Sequence, residues 1–489
     1  MALFGRQMIK VDETDISLDN VLNVLNKALL VHNRNRVDIN YLWLYYRGNQ
    51  PILSRTKEVR PEINNRIVEN RANQIVSFKS GYLMGEPLQY VAKGQGDNLT
   101  EAINQLNAYA EAEGKPAKDK KLADWMHICG TAYRMVLPDE NGKEDDSPFE
   151  IYTLDPRNVF VVYNNGLGNK PILGVKYVVD ERGITTYSCY SQSEYFEIRE
   201  GKVVMHRPHI LGEIPIIEYP LNIARIGAFE LVIGLLDAIN LTQSNQVDGV
   251  EQFIQALMLF HNVDISAEDF ANLREEGAIK FRDIDPQMKA EVDYLVSSLN
   301  QNETQTLVDS MYDTVLTICG MPQRNGGLST SDTGAAVILR DGWGDTEARA
   351  KDSELMFKES EQIFLKIVLN ICHILTGMNL KVHNIEIRFT RRNYENIVQK
   401  AQVLDMLLNN PKVHPQLAFA HSGLFADSEL AYKMSMEYYE EEQRKKKDEG
   451  GGNDSGINGG NDPGNRSNSE TREPGGTADR TGSDNNSRD

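Results

Sequence analysis

The segment that decides the fold is Pro322-Gln323-Arg324-Asn325-Gly326-Gly327-Leu328-Ser329-Thr330-Ser331-Asp332-Thr333, a polar, glycine-rich stretch between two long helical patterns. The pattern that ends upstream, over 300–319, places its apolar residues on one face. The downstream pattern covers 333–378, and its second half carries an apolar stripe. Gly342 and Gly344 lie inside it and each weakens a helix by about 1 kcal/mol, so we predict a kink over 341–345. Two long helices joined by a pliable loop indicate a mechanical element rather than a substrate pocket.

Around this junction the sequence predicts an α+β fold that is mainly helical. A further long helix over 227–252 precedes 300–319, and the two bracket a small α/β insert with short strands at 256–260 and 292–296. Strand patterns fill 149–220, between glycines, asparagines and prolines. The remaining predicted elements are helices at 17–46 (capped by Asp15 or Ser17), 62–84, 98–113, 117–129, 394–409, 415–422 and 427–447, and strands at 130–137 and 383–390.

The segment from 450 to the last residue of the sequence differs in composition from the rest. Its only apolar residues are Ile457 and Ala478, among glycine, asparagine, serine and charged residues. Such a segment cannot bury enough apolar surface to offset its ordering entropy, so we expect it to be disordered.

Charge and cysteine usage restrict the possible functions. The net charge is −19, while the residues from Gln443 onward hold eight Lys or Arg and nine Asp or Glu, so the acidity belongs to the body. An acidic protein does not bind phosphate backbones tightly, although it could surround DNA, because a wall that repels phosphates lets a duplex slide. Solubility explains the acidic charge equally well. No apolar run is long enough for a membrane span, and we expect no signal peptide. The four scattered cysteines predict buried thiols in a reducing compartment.

Motifs for catalysis, metals and nucleotides are missing from the sequence. It contains no G-x-x-x-x-G-K-[ST], H-E-x-x-H or G-x-S-x-G. His206 and His209 have no Cys or carboxylate partner in the pattern, so we predict no metal site. The run over 41–47, Tyr-Leu-Trp-Leu-Tyr-Tyr-Arg, could stack bases, but its position at a helix end favours packing. Asn393, after two arginines, is placed as a helix N-cap. We therefore predict a protein that is not an enzyme, with no catalytic residues and no cofactor.

Several short segments follow one another in a recognisable order over residues 40–442. They are Tyr45-Tyr46-Arg47-Gly48, Asn70 to Val76, Gly81-Tyr82-Leu83-Met84-Gly85-Glu86-Pro87, Asp155-Pro156, Gly212 to Pro220, Thr333-Gly334-Ala335-Ala336, Ile387 to Asn393, and Asp427-Ser428-Glu429 with Glu437. In this order they resemble the portal proteins of tailed bacteriophages, specifically the type found in siphophages of Gram-positive hosts. Thr333 stands where members of that family usually carry serine.

The resemblance implies a ring, usually of twelve subunits, with domains called wing, stem, clip and crown. The wing would comprise 1–226 and the long kinked helix and strand of 334–392. The stem helices would be 227–252 and 299–321, with the clip, 253–298, between them. The tunnel loop would be 322–333, the crown 393–449 and the disordered tail 450–489. The implied DNA-facing loop residues are Gln323, Arg324, Asn325, Gly326, Gly327, Ser329 and Thr330. The implied clip contacts are Glu268, Asp269, Arg274 and Glu275.

The resemblance also implies a function and partners. The ring would stand at one capsid vertex of the virion and conduct double-stranded DNA in packaging and ejection, without sequence specificity. Its partners would be the terminase large subunit, head-completion or adaptor proteins, scaffolding protein and major capsid protein, with assembly in the host cytoplasm and no membrane. Two alternatives stay open: a minor head or connector protein, and a DNA-packaging enzyme, against which the missing nucleotide motif argues.

Overall fold

The computed structural model describes residues 5–94, 97–139, 147–254, 257–264, 266, 282–284, 288–289, 291–295, 301–323, 342–391, 397–425 and 428–450. The chain divides into two compact units, Met1–Ser428 and the residues from Glu429 onward. The fold is α+β and mainly helical, as predicted.

Helix α1 (Val21–Tyr46) begins four residues later than predicted. Asn20 precedes it and organises the turn before it: its Oδ1 accepts the Ser17 N–H at 2.9 Å, and its Nδ2 donates to the Asp15 carbonyl at 2.8 Å. Neither Ser17 nor Asp15 caps the helix, so that expectation was wrong. The buried face of the helix is carried by Val21, Val24, Leu25 and Ala28, whereas Leu18 and Leu30 are 51% and 70% exposed.

Helix α2 (Arg71–Met84) is nine residues shorter than the predicted helix over 62–84. Asn70 caps it, with Oδ1 accepting the Asn73 N–H at 3.4 Å. Residues 64–70 adopt no helix because their backbone N–H groups bond to side chains of a distant helix, described below. Helices α3 (Asp97–Ala112) and α4 (Lys115–Cys129) confirm the predicted ones.

Two sheets form the centre of the first unit. The larger has six strands in the order β1-β5-β6-β7-β8-β9; β1 runs parallel to β5 and the other neighbours are antiparallel. Helix α1 packs on it around Phe160, Leu173 and Phe196. The smaller sheet has the order β10-β3-β4. The strands are β1 (Ile9–Val11), β3 (Thr131–Pro138), β4 (Phe149–Leu154), β5 (Val159–Asn164), β6 (Pro171–Val179), β7 (Thr185–Tyr190), β8 (Glu194–Arg199), β9 (Lys202–Pro208) and β10 (Ile216–Pro220).

Two long helices and short strands follow the sheets. Helix α5 (Ile233–Ile254) begins six residues later than predicted, because Glu230–Val232 forms a 3-10 turn whose Glu230 Oε2 accepts the Gly227 N–H at 2.8 Å. Helix α6 (Gln301–Cys319) confirms the prediction over 300–319. The predicted strands at 256–260 and 292–296 are confirmed, whereas residues 267–281 of the predicted insert lie outside the described residues. The strands between the helices are β11 (Leu257–His261), β12 (Val263–Asp264), β13 (Arg282–Asp283) and β14 (Glu291–Leu295), paired as β11·β14 and β12·β13.

Helix α7 (Trp343–Thr376) begins after Gly342, whose φ of +79° is not helical. The predicted helix over 333–378 therefore does not run continuously through Gly342. Its apolar stripe is confirmed from Phe364 to Ile371, but Ile374 and Leu375 are each 47% exposed, because the helix end leaves the core. The remaining elements are β2 (Gln89–Ala92), paired with β15 (Ile385–Arg388), and the helices α8 (Ile397–Leu408), α9 (Pro415–Ser422) and α10 (Ser428–Gly450).

All four cysteines are buried free thiols, as predicted. Burial raises the pKa of Cys129, Cys189 and Cys372 to about 12 and that of Cys319 to about 11.

Candidate functional site: the α5–α6 helix pair and its supports

The two long helices α5 and α6 pack against each other, and α1 and α2 hold their base. Leu236 and Ile239 of α5 share one buried cluster with Val315 of α6. The Tyr45 hydroxyl of α1 donates to Asp237 Oδ1 at 2.9 Å, and the Tyr45 ring stacks on Phe229 with centroids 5.8 Å apart. The aromatic run over 41–47 is therefore a packing element, as predicted. Burial raises the pKa of the Tyr45 hydroxyl, and burial also raises the pKa of the Asp237 carboxyl.

An extended stretch of chain, residues 63–69, runs along α5; we call it the bracing segment. Three side chains of α5, four residues apart, accept its backbone N–H groups. The bonds are Glu69 N–H to Asn240 Oδ1 at 2.8 Å, Ile67 N–H to Ser244 Oγ at 2.9 Å, and Asn65 N–H to Asp248 Oδ1 at 2.7 Å. Asn240, Ser244 and Asp248 are 1%, 0% and 2% exposed. Residues four apart share one helix face, and alternate residues of an extended chain share one side, so the two periods meet as a ladder.

Asp248 forms the last step of this ladder and also binds two cations. Its Oδ2 lies 2.8 Å from Lys57 Nζ and 3.1 Å from Arg55 Nη1. Burial opposes ionisation of this carboxyl, but the hydrogen bonds from Lys57 and Asn65 outweigh burial and hold the Asp248 pKa below its usual value. Asp248 is therefore ionised at neutral pH and joins the bracing segment and the chain before it to α5.

The helix pair has a one-sided charge. Residues 233–254 and 301–319 contain no Lys or Arg. The acidic residues on the two helices are Asp237, Asp248, Glu251, Glu303, Asp309 and Asp313. Glu303 and Asp309 are exposed on α6. The exposed carboxylates Glu303 and Asp309 make their part of α6 repel phosphates, because neither helix carries a Lys or Arg.

The end of α6 and the start of α7 are tied together at one point. Thr346 Oγ1 donates to the Gly320 carbonyl at 3.1 Å, and Arg349 Nη1 donates to the Ile318 carbonyl at 2.6 Å. Gly320 has φ +60°, a backbone conformation that favours glycine, and a Cβ there would displace the Arg349 side chain. The end of α6 and the first turns of α7 are thus in direct contact.

Further along α7, a buried ionic network ties the helix to the sheets. Glu361, 0% exposed, lies 2.8 Å from Lys115 Nζ and 3.1 Å from Arg134 Nη1, and accepts the Tyr90 and Tyr219 hydroxyls at 2.6 Å each. Burial opposes ionisation of Glu361, yet Lys115 and Arg134 lower its pKa to about 2. Asp119 pairs with both cations and balances the charge.

Most loop residues predicted from the sequence lie outside the described residues. Gln323 is described: its Nε2 donates to Thr317 Oγ1 of α6 at 3.2 Å. Gly342 is the residue before α7, and Gly344 lies in its first turn. The kink stays a prediction, because 324–341 is not described. The predicted residues outside the described part are Arg324, Asn325, Gly326, Gly327, Ser329 and Thr330 of the loop, Glu268, Asp269, Arg274 and Glu275 of the insert, and the N-cap Asn393.

Two other observations concern ligands and membranes. His206 Nε2 lies 3.4 Å from Glu194, whereas His209 Nε2 lies 3.0 Å from the Ser191 carbonyl, so the two rings have different partners. Among the described residues, no group of three or more His, Cys, Asp or Glu is arranged to hold a metal ion. No helix in that part of the chain is long and apolar enough to cross a membrane.

Comparison with known proteins identifies the class of this chain. A family model described as "Phage portal protein, SPP1 Gp6-like" matches residues 27–450. The chain belongs to this family: it is a phage portal protein, a structural component of the virion at the capsid vertex. The resemblance found in the sequence is confirmed, while the host type stays a prediction.

The other comparisons add less. No curated protein matches the chain. Among solved structures, a chain from the neck of an empty GTA particle, computed with C6 symmetry, is similar with 12% sequence identity and a TM-score of 0.41. The match covers 72% of this chain and 90% of that chain.

Sequence reasoning missed the bracing segment, which it assigned to a helix. The sequence does not single out Asn240, Ser244 and Asp248, because the polar residues Thr242, Gln243, Asn245 and Gln246 lie among them on the same helix. Their burial, and hence their need for hydrogen-bond partners, is visible only in the structure.

Proposed function

We propose that copies of this chain form a ring, of about twelve subunits as is usual for the family, with the α5–α6 pairs side by side around an axis. In this assembly α5 and α6 are the stem, and double-stranded DNA passes through the channel during packaging and ejection. The strands between them are the clip, which binds the terminase large subunit and later head-completion proteins. The tunnel loop is 322–333, the long helix belongs to the wing, and the C-terminal helices form the crown.

The observation that carries this proposal is the absence of Lys and Arg from 233–254 and 301–319, together with exposed carboxylates on α6. A channel for a duplex of any sequence must avoid tight phosphate contacts, because each neutralised phosphate adds affinity through counterion release. Carboxylates without compensating cations keep the duplex mobile. Scaffolding and major capsid proteins are the proposed outer partners, and assembly takes place in the host cytoplasm.

The first experiment images the purified protein in negative stain. We expect rings with a central channel wide enough for a duplex, and a monomer at every concentration in native mass spectrometry would refute the proposal. Measurable ATP hydrolysis by the purified protein would favour the packaging-enzyme alternative.

The second experiment reverses charge on α6. Glu303→Lys with Asp309→Lys should leave rings intact but slow DNA packaging in a reconstituted system, most at low salt, where phosphate contacts are strongest. The matched control is Glu181→Lys, an exposed acid in the turn between β6 and β7. Equal packaging by both variants would count against these helices as the channel wall.

The third experiment tests the loop. Replacement of 323–330 by a rigid segment should spare ring assembly and impair packaging, because a stiff loop cannot follow a moving duplex. Unchanged packaging would contradict the tunnel-loop assignment.

A further inference from the structure

Strand β9 is an edge of the six-stranded sheet and is unusually open. It pairs with β8 on one side and, among the described residues, with no other strand. Every residue from Val204 to Pro208 is exposed, and the large apolar side chains Val204 and Met205 are 55% and 48% exposed. Unpaired strand edges attract other strands, so proteins usually block them.

Other strand edges of the same unit are blocked by side chains. On β2, Asn107 accepts the Tyr90 N–H at 3.3 Å and donates to the Tyr90 carbonyl at 2.8 Å. On β4, Glu113 accepts the Ile151 N–H at 2.9 Å. On β10, Ser360 Oγ donates to the Glu218 carbonyl at 2.8 Å.

Strand β9 has no comparable protection. Within the described part of the chain, no side chain bonds to its backbone. The features of β9 that discourage pairing are Lys202 and Pro208 at its two ends and a bulge at Val204, since Met205 lies opposite Glu197 and Val203 opposite Ile198. The backbone on its outer side is therefore available to another strand.

The charge of β9 opposes that of the whole chain. Lys202, His206 and Arg207 are exposed along it, in a protein of net charge −19. The Arg207 guanidinium lies 5.2 Å from the Tyr195 ring centroid, so its stem packs on the sheet and its donors stay accessible. A strand with acidic side chains opposite Lys202 and Arg207 and apolar ones between them complements this edge.

We propose that the outer edge of β9 binds an extended, acidic segment of another protein of the particle, which adds to the sheet as a seventh strand. This inference goes beyond the channel and rests on assembly of the chain into a ring within a particle. Backbone hydrogen bonds supply affinity, and Lys202 and Arg207 select acidic segments.

A second copy of the chain is a poor occupant. Pairing of β9 with another β9 is two-fold, whereas contacts within a ring are head-to-tail. Pairing with β1 of the next subunit would rotate successive subunits by about 120–150°, from a twist of about 20–25° per strand. A ring of about twelve copies requires a rotation of about 30°. The segment 451–489 is also a poor strand, since Ile457 is its only large apolar residue.

The test is amide hydrogen exchange of peptides over 202–208, measured in purified rings and in assembled particles. We expect fast exchange in rings and exchange at least about tenfold slower in particles. Equal exchange in both would overturn the proposal. Slow exchange already in rings would identify a neighbouring copy as the occupant. Loss of protection after deletion of 451–489 would identify the chain's own segment as the occupant. Either result would overturn the proposal.

Two paired variants test the acidic partner. Lys202→Glu with Arg207→Glu should abolish the protection in particles, whereas the control, Lys170→Glu with Arg182→Glu in exposed loops of the same sheet, should keep it. Retained protection in the first variant would overturn the assignment of an acidic segment. Ring formation is imaged in every sample. Failure of the wild-type chain to form rings counts against the proposed function, whereas normal rings without protection count against β9 alone. If a variant forms no rings, the wild-type comparison decides.

Discussion

Replacement of Asp248 tests the attachment of the bracing segment to α5. Asp248→Ala removes the acceptor of the Asn65 N–H and leaves the Lys57 ammonium and the Arg55 guanidinium without this partner. A hydrogen bond to a charged group contributes about 1.5–3 kcal/mol. The two cationic side chains are 21% and 13% exposed, so water screens part of their share. We therefore expect Asp248→Ala to lower the free energy that holds the bracing segment on α5 by about 3 kcal/mol. Asp248→Asn keeps a neutral acceptor, so we expect it to lower this free energy by about half as much.

The assay is amide hydrogen exchange of peptides over 63–69 in assembled rings, because a ring that unfolds in several steps gives no single unfolding free energy. A loss of about 3 kcal/mol corresponds to roughly 100-fold faster opening. The smaller loss expected for Asp248→Asn corresponds to about tenfold faster opening.

The control is Gln243→Ala, a half-buried residue of α5 outside the ladder. It should change exchange over 63–69 by less than about threefold, as expected for a substitution away from the contact. The same small change in Asp248→Ala would refute the view that the ladder holds the segment. The effect also depends on pH in a defined direction. The pKa of Asp248 is lowered in the folded chain, so its stabilisation is complete above the unfolded value of about 4 and is lost as pH falls through the folded pKa.

Three further outcomes follow from the packing. Gly130→Ala should destabilise the fold by more than about 3 kcal/mol, because φ is +77° and a Cβ would overlap the Arg225 carbonyl. The readout is failure to form rings on expression. The control is Gly183→Ala, since Gly183 has a positive φ but open space around its Cα. Glu361→Ala should cost about 3–5 kcal/mol, because two buried cations each lose one of their two carboxylate partners. The readout is a lower guanidinium midpoint, and an unchanged midpoint would contradict the network. The four cysteines should resist iodoacetamide at pH 8 in native rings and react after denaturation, because burial raises each thiol pKa to about 11–12. Rapid labelling of native rings would refute the burial of these thiols.

The sequence predicts the elements with strong periodicity and misses those made by distant partners. Helices α3, α4 and α6 and strands β5, β6 and β7 follow from the residue pattern alone, because that pattern reflects burial of one face. Residues 62–70 also carry a helical apolar spacing, but their N–H groups find acceptors on α5, nearly two hundred positions away. Local propensity cannot anticipate such a competition.

The candidate functional site was also predicted only in part from the sequence. The sequence predicted the two long helices α5 and α6, since these depend on residue type and order, and the kink over 341–345 stays a prediction. It did not predict Asp248 as an acceptor for Lys57, or Glu361 between Lys115 and Arg134, since buried ion pairs join elements whose proximity is a property of the whole fold. The order of weak motifs supplied the family where single motifs could not.

The ladder between α5 and the bracing segment has a built-in length limit. Four helical residues advance by about 6.0 Å, whereas two extended residues advance by about 6.7 Å. Each successive bond therefore falls about 0.7 Å further out of step, and a fourth would be displaced by about 2 Å, beyond hydrogen-bond tolerance. The chain stops at three: the next position on α5 at one end is the buried Leu236, and Arg71 opposite begins α2. A short clamp of this kind holds the part of α5 from Asn240 to Asp248, so the bracing segment and this part of the helix move as one body.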